Sequence, residues 1–353
     1  MMKSKKVLVA MSGGVDSSVA AFLLKEKGFK VIGATLQLRQ FVSNKAVKAK
    51  KVAEKLDIPH YLFDVEDVFK EKIIDSFCKE YRQGRTPNPC IRCNQYIKFE
   101  YLLKKAKDLG IEFAATGHYA RIEYDKNREK YLLKKAVDLK KDQSYVLYPL
   151  RQNQLKQILL PLGDYTKEEV KNRARELALS VELEKESQEI CFIPGNDYRK
   201  FLKDWIPEVD CPGPILNTKG EILGRHSGLA FYTIGQRKGL GISNKEPLYV
   251  KALEPKSNTV FVAPEKNLYQ DELIARAVSC ICEENIPEGF MVKAKIRYLH
   301  QGAKARLFPR KGNRILVKFK EAQRAITPGQ AVVFYDGDMV LGGGIIEKSK
   351  FPE

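Results

Sequence analysis

Residues 6–28 read KVLVAMSGGVDSSVAAFLLKEKG, and this stretch decides the fold of the first half of the chain. Lys6–Met11 is a short apolar run ending in glycines. Val15–Lys27 then carries apolar residues at helical spacing and stops at Gly28, where a helix C-cap favours glycine. The sequence thus predicts strand, tight loop, helix. A glycine-rich turn in that setting directs backbone N–H groups and the positive end of the helix dipole at an anion. Gly13 and Gly14 permit close approach, Ser12 and Ser17 add hydroxyl donors, and Asp16 is placed either to cap the helix or to hold a magnesium ion. The loop lacks the Gly-Lys-Ser/Thr ending of the Walker type, so γ-phosphoryl chemistry is not what it suggests.

Outward from this unit, Val31–Leu38 and His60–Val65 read as further strands, and Phe113–Thr116 as another before a Gly-His-Tyr turn. Ser43 is placed to cap a helix whose Ala46, Ala49, Ala53 and Leu56 share one face. Phe99, Leu102, Leu103 and Ala106 mark a second helix, and Thr166-x-x-Glu169 is a capping box opening a third through Leu177. Strands alternating with helices predict a doubly wound parallel sheet. Composition shifts near Trp205–Pro214. Beyond it, the strand candidates Gly224–His226 and Tyr232–Gly241 suggest a small β-rich domain, and the alternating runs Val292–Tyr298, Ile315–Phe319 and Ala331–Tyr335 suggest an antiparallel barrel. The expected domains are residues 1–205, 206–270 and 271–353.

Lys and Arg outnumber Asp and Glu by 62 to 44 in 353 residues, a net charge of +18 that favours a polyanionic partner or else solvates the surface. Lys293, Lys295 and Arg297 alternate with Ala294, Ile296 and Tyr298, placing a basic face on one side of a strand. An RNA-tracking surface and a solvated edge strand would both look like this. No signal-peptide pattern and no membrane-spanning apolar run is present, which predicts a soluble cytoplasmic protein without a membrane partner. The seven cysteines are Cys78, Cys90, Cys93, Cys191, Cys211, Cys280 and Cys282, an odd number that argues against a disulfide framework. Cys90-x-x-Cys93 sits in a proline-stiffened loop with arginines, running into a helix. That setting predicts a lowered thiol pKa, suited to a nucleophile or ligand; inert thiols or half a zinc site are the bland alternatives.

The Ser-Gly-Gly-x-Asp-Ser loop after an N-terminal strand resembles that of the PP-loop ATP pyrophosphatases. Four further segments accompany it: Ala115-Thr-Gly-His-Tyr-Ala120, Lys141-Asp-Gln-Ser-Tyr145, Glu186-Ser-Gln-Glu-Ile-Cys-Phe-Ile193 and Tyr232-Thr-Ile-Gly-Gln-Arg-Lys-Gly-Leu240. With Thr327-Pro-Gly-Gln330 they make the chain resemble the tRNA-specific 2-thiouridylases from end to end. The resemblance implies an adenine nucleotide α-hydrolase-like first domain and a tRNA-contacting barrel. It implies ATP-dependent 2-thiolation of the wobble uridine in tRNAs for Lys, Glu and Gln, by adenylation of the C2 oxygen and replacement of AMP by sulfur.

By the same resemblance Cys191 would carry a persulfide delivered by an upstream sulfur-relay or cysteine desulfurase protein. Cys93 would be the second catalytic cysteine, assisting sulfur release or leaving a transient disulfide bond. ATP would lie against Ala10, Met11, Ser12, Gly13, Gly14, Val15, Asp16, Ser17, Leu36 and Gly117, with Leu36 standing where the family often has methionine. The tRNA and its target base would meet Asn88, Pro89, Cys90, His118, Lys141, Asp142, Gln143, Arg297, Tyr298 and Gln330. The chain departs from the family at Cys90, where Asn-Pro-Asp is usual. Cys90, Cys93 and Cys191 could therefore ligate three irons of a 4Fe-4S cluster, which stands as an alternative to the persulfide relay. Another PP-loop tRNA-modifying ligase and a non-catalytic RNA-binding protein are the competing functions.

Overall fold

Five parallel strands, β1 (Lys6–Ala10), β2 (Lys30–Gln37), β3 (His60–Asp64), β4 (Phe113–Ala115) and β7 (Ile158–Leu159), form the first sheet, in the order β3-β2-β1-β4-β7. The computed structural model describes residues 5–38, 44–177, 190–193, 195, 197–281 and 286–347. Strand alternation sends Val7 and Val9 to one face and Leu8 to the other. On the first face, helix α1 (Val15–Glu26), helix α2 (Lys45–Lys55) and helix Lys167–Glu176 bury Val19, Val52 and Val170. Helix Leu102–Asp108 covers the second with Leu102 and Ala106. The sheet is thus doubly wound, as expected. Thr166 and Glu169 form the anticipated capping box, Glu169 Oε2 accepting from Thr166 N at 2.7 Å. The expected cap Ser43 and the cysteine Cys282 lie outside the described residues.

The second sheet, β10-β11-β8-β9, comprises β8 (Gly213–Leu216), β9 (Ile222–His226), β10 (Leu248–Glu254) and β11 (Thr259–Pro264). Tyr232–Gly241 adds no strand. Its Gly235, Gly239 and Gly241 take φ of +87°, +75° and +66°, a backbone that turns rather than extends. The third sheet closes on itself through β12 (Tyr269–Cys280), β13 (Phe290–Lys295), β14 (Ala303–Arg310), β15 (Arg314–Arg324), β16 (Ala331–Asp336) and β17 (Met339–Ile346). The order is β12-β15-β14-β13-β16-β17, with β12 also pairing β17, so six strands make the predicted barrel. The sequence did not announce that a hairpin of the first domain, β5 (Ala120–Asp125) and β6 (Lys130–Lys135), would join it through Met339↔Lys134. Among the described residues no helix is long and apolar enough to cross a membrane.

All three parts meet at the segment leading to Cys90. Thr86 N donates to Pro328 O of the barrel at 2.9 Å, Thr86 O accepts from Gln330 Nε2 at 2.8 Å, and the Thr86 hydroxyl lies 3.3 Å from that of Thr233 in the central part. Beside it, Arg85 Nε (2.6 Å) and Arg276 Nη2 of β12 (3.3 Å) converge on the carboxylate of Glu80. Burial pushes the Glu80 carboxyl up, but the two guanidiniums outweigh it and hold it below the ordinary range. A depressed carboxyl stabilises the fold above its unfolded pKa, and that contribution fades as pH falls through the lower folded value. Glu80→Gln is therefore expected to destabilise by about 2 kcal/mol at pH 7 and much less near pH 3, read as the gap in Tm between variant and parent at each pH.

Candidate active site

Chain reversal after β1 builds the loop from short bonds. Met11 N continues the ladder to Ala34 O at 2.8 Å, Ser12 N donates to Ser17 Oγ at 3.2 Å, and Ser17 Oγ donates to Gly14 O at 3.0 Å. Gly13 sits at φ +75°, and a Cβ there would fall 2.6 Å from Lys48 Cβ and 2.9 Å from Ala49 N. Gly14 is the N-cap of α1 without a side-chain cap bond, so the leading N–H groups of a twelve-residue helix face outward. Gly117 packs on this turn: a Cβ would lie 2.8 Å from Asp16 C and 2.9 Å from Ser17 N. Ala10, Val15 and Leu36 are half-buried around the loop, and Met11 is buried beneath it.

Asp16 does not cap the helix. Its carboxylate takes Lys167 Nζ at 2.7 and 2.8 Å and the Tyr119 hydroxyl at 2.7 Å. A lysine at the first position of a helix opposes the dipole. Here the Asp16 pair offsets that cost, and the ammonium also lies 5.7 Å from the Tyr119 ring. Neither Lys167 nor Tyr119 was singled out from the sequence; the lysine one residue after a capping threonine was the available signal.

The cysteine segment is one helical run of changing pitch: an α turn over Pro89–Arg92, π-helix over Cys93–Tyr101, then α-helix over Leu102–Asp108. Asn88 caps it, its Oδ1 accepting from Cys90 N at 3.1 Å, and the buried Pro89 is the first helical residue. Wide π turns concentrate at functional sites. Asn94, one residue past Cys93, is 2% exposed; its Nδ2 donates to Val146 O at 3.3 Å while its Oδ1 has no partner. Cys93 is half-buried and packs on the core holding Phe192 and Ile193, so those two anchors set Cys191 in the same neighbourhood.

The expected thiolate character is not found. Burial pushes the Cys93 thiol up to about 12, against the pull of Lys98 and with smaller upward pushes from Cys191 and Cys90. The Cys90 thiol is raised by the same causes, although the residue surface is exposed. The arginines that were to stabilise thiolate are engaged elsewhere: Arg85 on Glu80, Arg92 on Lys72 O and the Tyr96 face. Lys98 is the cation that acts on both thiols and was not foreseen. With its pKa moved from 9.0 to about 12, Cys93 holds roughly a thousandth of an ordinary thiolate share at neutral pH. Its alkylation by iodoacetamide, followed by peptide mass spectrometry, should rise about tenfold per pH unit from 7 to 10 without a plateau.

Cys78, Cys90, Cys93, Cys191 and Cys211 are free thiols, so no disulfide bond joins Cys93 to Cys191 here. Among the described residues no three His, Cys, Asp or Glu side chains converge to hold a metal ion. Cys90, Cys93 and Cys191 share a neighbourhood without making the three-thiol corner that a 4Fe-4S cluster needs, and as placed they do not fit one.

Three family models match in chain order: the tRNA methyl transferase HUP domain over residues 5–195, the tRNA methyl transferase PRC-barrel domain over 199–264 and the aminomethyltransferase beta-barrel domain over 270–346. The tRNA-specific 2-thiouridylase MnmA 1 of Caldanaerobacter subterraneus subsp. tengcongensis is 51% identical over 99% of this chain and 99% of its own. The chain belongs to the tRNA-specific 2-thiouridylase family. Relatives of the same name from Acetivibrio thermocellus and Clostridioides difficile are each 48% identical, over 98% and 99% of this chain and 100% of their own.

Several positions carried over from the 2-thiouridylases as tRNA contacts have internal partners. His118 is buried, its Nδ1 2.6 Å from Thr116 Oγ1 and its ring 5.8 Å from that of Phe99 on the π-helix; burial and then Lys98 lower its pKa well below the usual value, so it is neutral. Asp142 is buried, accepting from Ala136 N, Ser144 N and Ser144 Oγ. Gln143 Oε1 accepts from Tyr119 N at 3.0 Å, the Tyr298 hydroxyl donates to Asp142 O at 3.1 Å and Arg297 Nη1 to Arg324 O at 3.2 Å. Lys141 is half-buried on the same turn. Gln330, as described, braces Thr86. Gly117 and His118 thereby touch both the phosphate-type loop and the cysteine helix, and Gln143 and Tyr298 tie that junction to the barrel.

Proposed function

We propose that this protein catalyses ATP-dependent 2-thiolation of the wobble uridine of tRNA, with tRNAs for Lys, Glu and Gln as substrates. The observation that carries the reading is the junction at Gly117-His118, where an anion-binding helix start and a segment with two thiols are held by adjacent residues. Activation and sulfur delivery can then act on one base. Ser12, Ser17 and the N–H groups heading α1 bind the triphosphate and Leu36 walls the adenine; Asp16, now paired with Lys167, would be the residue to hold a magnesium ion, which would neutralise phosphate charge.

The uridine C2 oxygen attacks the α-phosphorus of ATP and pyrophosphate leaves. The terminal sulfur of a Cys191 persulfide, supplied by a sulfur-relay or desulfurase protein, attacks C2 and AMP leaves with its electron pair. Cys93 then attacks Cys191 Sγ; the bond to the transferred sulfur breaks, C2=S forms, and the thiol proton goes to solvent. Two thiols are oxidised to a disulfide as the sulfur is reduced, and an external thiol resets them. A protonated Cys93 suits this order, since a resting thiolate would attack the persulfide before the base is activated. Incubation with ATP, tRNA and a persulfide donor tests the reading: 2-thiouridine in the digested tRNA supports it, and tRNA left unmodified under all three overturns it.

A further inference from the structure

Lys98 is a partly covered cation that stability does not explain. Ile97 and Phe99 on either side of it are 2% and 0% exposed, which fixes its backbone, and its own side chain is half-buried. Residues three and four positions away along the helix, Asn94, Gln95, Tyr101 and Leu102, bring no carboxylate. Among the described residues Lys98 takes part in no ion pair and no hydrogen bond. The helix dipole does not account for it either, because the run continues as α-helix to Asp108 and residue 98 is not at a C-terminus. Covering a charge without a partner is costly, so an anion is to be sought among the groups it faces.

Helix pitch decides which groups those are. In an α-helix, residues five apart point about 140° away from each other. Cys93–Tyr101 is π-helix, whose turns close from residue i to i+5, so residue 98 stands one turn beyond residue 93 on the same side. The charge is felt at three places: it pulls down the thiols of Cys93 and Cys90 and the imidazole of His118, whose ring lies 5.8 Å from that of Phe99. Cys93 is thus faced by Cys90 and Lys98 from its own run and by Cys191 from the segment that Phe192 and Ile193 anchor, and Lys98 brings the only positive charge among them. Arg92, the cation nearest in sequence, is turned to Lys72 O and the Tyr96 ring. The phosphates have the N–H groups heading α1 and the hydroxyls of Ser12 and Ser17. The anion that lacks a partner is the thiolate of Cys93.

We infer that Lys98 acts through Cys93, stabilising the thiolate of that cysteine as it attacks Cys191. The inference rests on the sulfur-transfer reading above. At rest, burial keeps the proton on Cys93 against the pull of Lys98. In the attack that proton passes to solvent and the thiolate electron pair forms the bond to Cys191 Sγ. The pair of the broken bond goes to the transferred sulfur as C2=S closes, and Lys98 keeps its own proton throughout. Iodoacetamide alkylation of Cys93 in the full chain, read by peptide mass spectrometry, tests this without ATP, tRNA or a sulfur donor. Lys98→Met keeps the length of the side chain and removes the charge. Because a nearby opposite charge changes the thiolate share at least about tenfold, alkylation of Cys93 should slow about tenfold or more at every pH from 7 to 10, along a line parallel to the parent's. Local unfolding would do the reverse and speed it. Lys98→Arg should return the rate to within about threefold of the parent. In single turnovers with ATP, tRNA and a persulfide donor, Lys98→Met should slow 2-thiouridine formation by a similar factor while pyrophosphate release continues. Alkylation of Cys93 at the parent's rate in Lys98→Met overturns the inference; a raised KM for ATP and slowed pyrophosphate release beside that unchanged rate would assign Lys98 to a phosphate instead. A parent that forms no 2-thiouridine overturns the function proposed above, and the alkylation rates still decide whether Lys98 acts on Cys93.

Discussion

Substituting Cys191 by serine is expected to abolish 2-thiouridine formation, by at least about a thousandfold, while tRNA-dependent release of pyrophosphate continues. The two half-reactions use different parts of the molecule. On the proposed mechanism adenylation uses the loop at residues 12–17, whose bonds run among Ser12, Gly14 and Ser17 and do not involve the cysteine segment. On the proposed mechanism sulfur transfer needs a sulfur atom at residue 191, held where Phe192 and Ile193 insert into the core against which Cys93 packs. Serine keeps the size and removes the nucleophile. Quantifying pyrophosphate and thiolated nucleoside in the same reaction checks this; loss of both would place Cys191 in nucleotide binding instead.

Gly13→Ala should strike the other half. Alanine at φ +75° costs about 1 kcal/mol in backbone strain, and its Cβ would lie 2.9 Å from the backbone nitrogen of Ala49 and 2.6 Å from Lys48 Cβ. Loop and α2 must separate, and overpacking of this kind costs about 1–3 kcal/mol. The more telling loss is in the cradle, because the N–H groups heading α1 are displaced from the phosphates. ATP-dependent turnover should fall about a hundredfold or more, with Tm lower by a few degrees, measured by pyrophosphate release and thermal unfolding. Turnover within twofold of the parent would show that ATP does not sit on this loop.

How far the sequence reached depended on whether each feature was local. The strand-loop-helix at residues 6–28 and the Thr166–Glu169 cap are written in nearest-neighbour chemistry and form as read, as do the barrel strands over Ile315–Phe319 and Ala331–Tyr335; the Val292–Tyr298 run ends as a strand at Lys295, so Arg297 and Tyr298 lie in the turn beyond it and off the basic strand face. Tyr232–Gly241 failed because aromatic and apolar residues imitate a strand while its glycines take turn conformations. The pairing of β6 with β17 was invisible, since one ladder pair, Lys134 with Met339, and the bond from Lys135 N to Asp338 O leave no trace in either segment. The same holds within the site. Asp16 was legible as a charged residue at a helix start, but its partners Lys167 and Tyr119 lie 151 and 103 residues away. The thiol pKa was misjudged for a related reason: nearby arginines in sequence proved to be bound to Glu80 and Lys72 O, leaving burial to dominate.

Product analysis of the ATP tests the central claim most directly. With tRNA and a persulfide donor present, labelled ATP should yield AMP and pyrophosphate, one of each per 2-thiouridine formed, and almost none when tRNA is withheld. ADP and inorganic phosphate as the products, or AMP formed equally without tRNA, would contradict the account.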